Sequence, residues 1–288
     1  MALRESRNGP VQEIGGPPRS VGVRRCLAGG SHLCRAALSL SVASTAACGA
    51  LLAGSARDAA VAFIAVLLLA AGASALNQVQ EREADRGLSR TRGRPIPAGA
   101  VSARLAGLTA VLLLLAGFAA LAAGGRGFAP VLPAIAALAL YNGVYTPLKR
   151  VTAGALLPGA VAGALPPIIG AAVAGEIPLS AMVLAGAIMI WQAPHTWLIE
   201  LQHRADYIAL PRPTFCRLFS RHQLERLVFT WNIAFAALPP VLVLAAGGSS
   251  HPQALGSAFC VSIVLAGASV PLLTDSLPRL SYGRMGLL

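Results

Sequence analysis

The sequence predicts an all-α protein, a polytopic membrane helical bundle of eight or nine transmembrane helices, on three observations. First, 56% of the 288 residues are hydrophobic and only 12% are charged, with a mean hydropathy of +0.67; soluble chains carry about 25% charged residues. Second, eight stretches contain no Asp, Glu, Lys or Arg: 36–54, 59–76, 105–125, 127–148, 151–175, 177–199, 227–250 and 252–274. Each has at least 18 residues, enough for a helix rising about 1.5 Å per residue to cross about 30 Å of hydrocarbon. Third, with eight spans the N-terminus, the loops after spans two, four and six, and the C-terminal tail share one face, which carries 21 of the 23 Lys and Arg. The opposite face carries Arg57 and Arg126 alone. That asymmetry makes the basic face, with its loops and both termini, the cytoplasmic one. It also accounts for the formal charge of +12 without nucleic acid as a partner.

In order along the chain, residues 1–35 are rich in Gly, Pro and Arg, contain no apolar run, and are expected to stay disordered. Glu5, Glu13 and Gly15-Gly16-Pro17-Pro18 argue against a mitochondrial presequence and favour a bacterial inner membrane. The membrane domain is expected over 36–274 and a short tail over 275–288. Ser55 to Asp58, Arg126, Lys149-Arg150, Glu176 and His251 are short separators that make tight hairpins. The loops after spans two and six, 77–104 and 200–226, are long and charged, and their equivalent positions suggest two similar halves. Gly154 to Gly163 and Gly170 to Gly175 are rich in small residues that permit close packing in lipid. Pro158, Pro166 and Pro167 predict a kink in span five. Five cysteines show no CxxC pairing and read as small core residues rather than as zinc ligands or disulfides.

Three segments carry chemistry. If span two continues as helix past its apolar run, Asn77, Glu81 and Asp85 fall at i, i+4 and i+8 on one face, about 6 Å apart in rise. Three oxygen ligands on one face suit Mg²⁺, which is held by one or two carboxylates plus substrate phosphates. Arg90, Arg92 and Arg94 follow, and guanidinium forks pair with phosphate oxygens. The plain alternative is a solvated helix with Arg82–Asp85 and Glu83–Arg86 ion pairs. Against it, Glu81 and Asp85 repel at i,i+4, a repulsion that a cation would remove. The second segment, Trp191 to Tyr207, places the ionisable His195 inside span six, with Asp206 beyond it. His195 also suits plain packing; Asp206 suits a second cation or the acceptor, or else a loop pair with Arg204 or Arg212. The third, Tyr141 to Arg150, sets Lys149 and Arg150 at the basic end of span four, where they serve a diphosphate or lipid headgroups equally well.

Together these segments resemble the UbiA-type prenyltransferase superfamily, within it the branch that prenylates haem. Asn77-x3-Glu81-x3-Asp85 followed by Arg90-Thr91-Arg-Gly-Arg94-Pro95 is similar to that branch's acidic motif, and Tyr145-Thr-Pro-Leu-Lys-Arg150 to its turn after helix four. Gly163-Ala-Leu-Pro-Pro167, Trp191-Gln-Ala-Pro-His195 and Asp206-Tyr207 match in the same order, over residues 60–230. The resemblance implies a UbiA-like bundle and a farnesyl transfer from farnesyl diphosphate to haem b, which is a substrate and not a cofactor. It implies Mg²⁺ on Asn77, Glu81 and Asp85, and diphosphate on Arg90, Arg94, Lys149 and Arg150. Tyr145 and Tyr207 become substrate-binding candidates, and Asp85, His195 and Asp206 catalytic ones. Haem A synthase or oxidase assembly proteins are the protein partners it brings into view. Three departures stand out: eight spans where nine are usual, Glu200 where an apolar residue is common, and Leu88 where Met is usual. The rivals are prenylation of a quinone precursor or tetrapyrrole side chain, a transporter, and a non-catalytic oxidase assembly factor.

Overall fold

The computed structural model describes residues 32–247 and 252–269, and all of their regular structure is helical. Eight helices follow the eight uncharged stretches: α1 (Ala36–Ala53), α2 (Ala56–Arg86), α3 (Ala103–Gly124), α4 (Val131–Leu148), α5 (Ala153–Ala174), α6 (Leu179–Gln202), α7 (Arg221–Ala245) and α8 (Gln253–Ser269). The first seven are long and apolar enough to cross a bilayer, and α8 is shorter. The expected end of the last span at 270–274, the 275–288 tail and residues 1–31 of the basic leader lie outside the described residues. Of the leader, His32 to Arg35 are folded: Leu33 is buried, and the Gln78 side chain donates to the carbonyls of His32 (2.9 Å) and Leu33 (2.6 Å).

Local chemistry sets the helix ends. Ser55 and Asp58 form a reciprocal capping box at the start of α2, each side chain accepting from the other's backbone N–H. Arg126, at the α3–α4 turn, lies 3.4 Å from the same Asp58 carboxylate. Ser220 and Gln223 form a second box, which starts α7 six residues before its apolar run. α5 continues as helix through Pro166 and Pro167. Those prolines leave the carbonyls of Ala162 and Gly163 without their helical donors.

Small residues let the helices approach closely. A Cβ on Gly49 would lie 2.1 Å from the Pro167 carbonyl oxygen, and one on Gly170 would lie 1.8 Å from that of Ala46. α1 and α5 therefore touch backbone to backbone, which is how helices associate where lipid provides no hydrophobic drive. Gly117 admits Leu69 between α2 and α3 in the same way. On the outer side of α3, Leu105, Leu108, Leu112 and Leu115 are exposed at helical spacing, a face that lipid covers. The core reading of the cysteines holds only for Cys216 among the described ones; Cys48 and Cys260 are exposed on helix faces and Cys34 is half-buried.

One irregularity shapes the site. α4 changes from α to π geometry over Ala139–Tyr145 and back to α over Thr146–Leu148. The Thr146 N–H and hydroxyl both reach the Tyr141 carbonyl, five residues back, the hydroxyl at 2.7 Å. Such a turn carries an extra residue and re-aims the side chains beyond it.

Candidate functional site

α2 does continue past its apolar run. Its 31 residues end at Arg86, so Asn77, Glu81 and Asp85 share one face, and all three are buried. Each meets one partner. Asn77 Nδ2 donates to Thr146 Oγ1 at 3.0 Å, leaving the amide oxygen as the acceptor on the acidic face. Lys149 Nζ sits 2.6 Å from Glu81 Oε2, and Arg94 Nη1 sits 2.6 Å from Asp85 Oδ2. Thr91 Oγ1 donates to the Asp85 carbonyl at 2.9 Å, closing the loop that brings Arg94 back onto α2.

The π turn explains why α4 supplies Thr146 and Lys149 to this face. Asn142, buried inside it, donates to the Ala73 carbonyl and to Gln80 Oε1, both at 3.1 Å, while Gln80 donates to the Asn142 carbonyl at 3.0 Å. Arg150 Nη2 donates to the Gln80 carbonyl at 2.6 Å. α2 and α4 are thus zipped along their basic ends. Tyr145 lies under Lys149, whose Nζ is 4.7 Å from the ring centroid, and packs on Gly159, where a Cβ would come within 2.8 Å of the ring. Burial pushes the Lys149 ammonium below its ordinary range, and Glu81 opposes that shift.

The expected like-charge repulsion between Glu81 and Asp85 is relieved by a separate cation on each. Arg82 does not pair with Asp85 but turns outward toward Glu83, which also takes Arg86 at 2.6 Å. Arg90 is exposed and forms no ion pair among the described residues. Arg150 is occupied by backbone.

The α6–α7 segment approaches from the other side. Asp206 does not pair with Arg204 or Arg212; its carboxylate accepts from both the N–H and the hydroxyl of Ser89, tying this segment to the loop after α2. Within α6, His195 stacks on Trp191 with ring centroids 4.4 Å apart. Tyr207 is buried, and its carbonyl accepts from Thr214 Oγ1 at 3.3 Å. Glu200 is buried with Oε2 accepting from the Cys216 N–H at 3.0 Å, so it caps the short Phe215–Leu218 helix.

Asn77, Glu81, Asp85, Arg94, Tyr145 and Lys149 therefore come together at one end of the bundle. Sequence reasoning missed Thr146, Gln80, Asn142 and Ser89. An Asn inside an apolar run was the available signal for Asn142. The donor set fits Mg²⁺: one amide and two carboxylate oxygens on a single helix face, with no Cys or His among them.

Residues 39–278 match the model of the UbiA prenyltransferase family. A Geobacter sulfurreducens protein named protoheme IX farnesyltransferase is 45% identical over 197 residues, 67% of this chain and 71% of that one. A Nitratidesulfovibrio vulgaris protein of the same name is 41% identical over 180 residues, covering 61% of this chain and 62% of its own length. The solved structure of a UbiA homologue from Archaeoglobus fulgidus bound to GPP and Mg²⁺ superposes with a TM-score of 0.65 at 17% identity, covering 90% of this chain and 94% of that one. An apo UbiA homologue from Aeropyrum pernix gives 0.67 at 21% identity, covering 88% and 95%.

Proposed function

Because the chain belongs to the UbiA prenyltransferase family, we propose that it transfers the farnesyl group of farnesyl diphosphate to haem b, making haem O. The observation that carries the chemistry is the buried Asn77–Glu81–Asp85 face with Lys149 and Arg94 bound to its two carboxylates. The names of the relatives support haem b as the acceptor.

Asn77, Glu81 and Asp85 would hold Mg²⁺, which when bound neutralises diphosphate charge. Lys149 and Arg94 then turn from the carboxylates to phosphate oxygens, and they stabilise the leaving group as the allylic C–O bond breaks with its electron pair on diphosphate. Tyr145 and Tyr207 border the path of the prenyl chain. A vinyl carbon of haem b attacks the allylic cation. Addition of water with loss of a proton completes a hydroxyethylfarnesyl substituent, and His195 and Asp206 orient that acceptor side or take the proton. The 21 basic residues expected on one face support a site on the cytoplasmic side, in a bacterial inner membrane by this reading.

The test is mass spectrometry of haem recovered after detergent-purified protein has met haem b, farnesyl diphosphate and Mg²⁺, with Asp85→Ala alongside. A hydroxyethylfarnesyl adduct that requires Mg²⁺ and Asp85 is expected. Unchanged haem b with diphosphate release would move the acceptor to a quinone precursor or another aromatic. No reaction at all in folded protein would refute prenyl transfer and favour a transporter or an assembly factor.

A further inference from the structure

Between the two short helices Arg204–Ala209 and Phe215–Leu218 runs the sequence Leu210-Pro-Arg-Pro-Thr214. This loop is tightly held. Arg217 Nη1 donates to the Leu210 carbonyl at 2.8 Å and to the Arg212 carbonyl at 3.4 Å, and Thr214 Oγ1 donates to the Tyr207 carbonyl. Pro211 and Pro213 on either side restrict the backbone of Arg212 further. The Arg212 side chain is therefore presented from a rigid support.

Its guanidinium has no protein acceptor among the described residues, and Nη1 is fully buried without a partner. Four other cations of this region have protein acceptors, Lys149 on Glu81, Arg94 on Asp85, Arg150 on the Gln80 carbonyl and Arg204 on the Phe219 carbonyl, although Arg204 also keeps its own Nη1 buried without a partner. Glu200 forms no ion pair with Arg212 among the described residues, and its Oε2 takes the Cys216 N–H. Asp206 accepting from Ser89, and Leu88 clustered with Tyr207 and Leu210, bring the segment that carries Arg212 against the loop that follows Asp85. A buried N–H left without an acceptor is costly unless a ligand supplies one.

Resting on the prenyl-transfer reading above, we propose that Arg212 is a further substrate-binding residue, whose guanidinium, with Nη1 buried and unpartnered, contacts the diphosphate from the α6–α7 side. Its planar fork suits two phosphate oxygens at once. The site thereby gains a cation that does not have to leave a carboxylate before it can bind substrate.

The experiment compares wild type, R212Q, R212K, E200Q and E200Q/R212Q, measuring KM for farnesyl diphosphate, KM for haem b, and binding of inorganic diphosphate with Mg²⁺ by calorimetry. R212Q is expected to raise the farnesyl diphosphate KM and weaken diphosphate binding by about tenfold or more, the scale of one lost charge-assisted contact. The haem b KM should stay within about twofold of wild type, because a diphosphate contact leaves the acceptor untouched. Should R212Q not fold, R212K carries the test, losing about threefold or more in diphosphate affinity with the two-pronged contact. Wild-type affinity in the folded variants overturns the proposal. So does recovery in E200Q/R212Q, which would show Arg212 serving only to balance Glu200. If wild type leaves haem b unchanged but binds diphosphate in an Arg212-dependent way, the acceptor is wrong and Arg212 stands; if wild type binds no diphosphate, both readings fall.

Discussion

Replacing Lys149 by Met strands the Glu81 carboxylate, and the size of that effect follows from the site. The charged atoms are 2.6 Å apart, with side chains only 18% and 8% exposed. At an effective dielectric constant near 20 the direct attraction is about 6 kcal/mol. Desolvation of both groups opposes it, so the pair's net worth is much smaller. Breaking one side alone leaves a buried charge unpaired, at a cost of about 3–5 kcal/mol. Lys149→Met should therefore destabilise strongly, Glu81→Gln less, and the double variant should recover most of the loss. Thermal unfolding in detergent measures this, with the thiol of the buried Cys216 as a slow reporter distinct from the exposed Cys48 and Cys260. A Lys149→Met protein within about 0.5 kcal/mol of wild type, or losses that simply add, would refute the argument, since a pair this close must couple.

Four further outcomes are expected. Because Lys149 and Arg94 already neutralise Glu81 and Asp85, chelating Mg²⁺ should abolish turnover while leaving the melting temperature nearly unchanged; a large drop would show the metal to be structural. Gly170→Ala should push α1 from α5, since its Cβ falls 1.8 Å from the Ala46 carbonyl oxygen, and cost about 1–3 kcal/mol or more in the same melt. Ser89→Ala removes one of two donors to Asp206, so proteolysis between residues 87 and 101 should quicken with the melting temperature little changed. Burial pushes the Cys216 thiol up to about 11, from an ordinary 9.0. The folded state thus keeps a proton that the unfolded chain gives up, and stability should fall as pH rises from about 9 through about 11, a fall that Cys216→Ser removes.

The transmembrane frame was legible because the bilayer demands long uncharged stretches, and each of the eight became a helix. The acidic face of α2 was legible on one condition, that helix persists through polar residues 77–86, and it does because Asn77, Gln80, Glu81 and Asp85 find partners on other elements. Those partners were not legible. Arg94 and Lys149 reach α2 through a folded loop and a π turn, and neither leaves a periodic trace in sequence. Local spacing instead favoured Arg82 as the partner of Asp85, whereas the helix turns Asp85 inward and Arg82 out. Glu200 was flagged as an oddity of the acceptor side, and its role as a helix cap depends on a short helix 15 residues later. For Asp206 the basic neighbours Arg204 and Arg212 are the plain alternative partners in sequence, but its carboxylate takes Ser89, 117 positions away.

The length of α2 has a consequence for how substrate arrives. Its 31 residues span about 46 Å, about 16 Å more than the hydrocarbon is thick. With residues 56–76 filling the hydrocarbon, Asn77 begins the level of the lipid phosphates and Asp85 stands about 12 Å above it. A prenyl diphosphate seated there would keep its charged head among the lipid headgroups and its chain among acyl tails, the posture it already has as a free amphiphile. Capture then becomes a search in two dimensions rather than three, without extracting a greasy chain into water, and the rate of encounter depends on lateral density in the leaflet instead of bulk concentration.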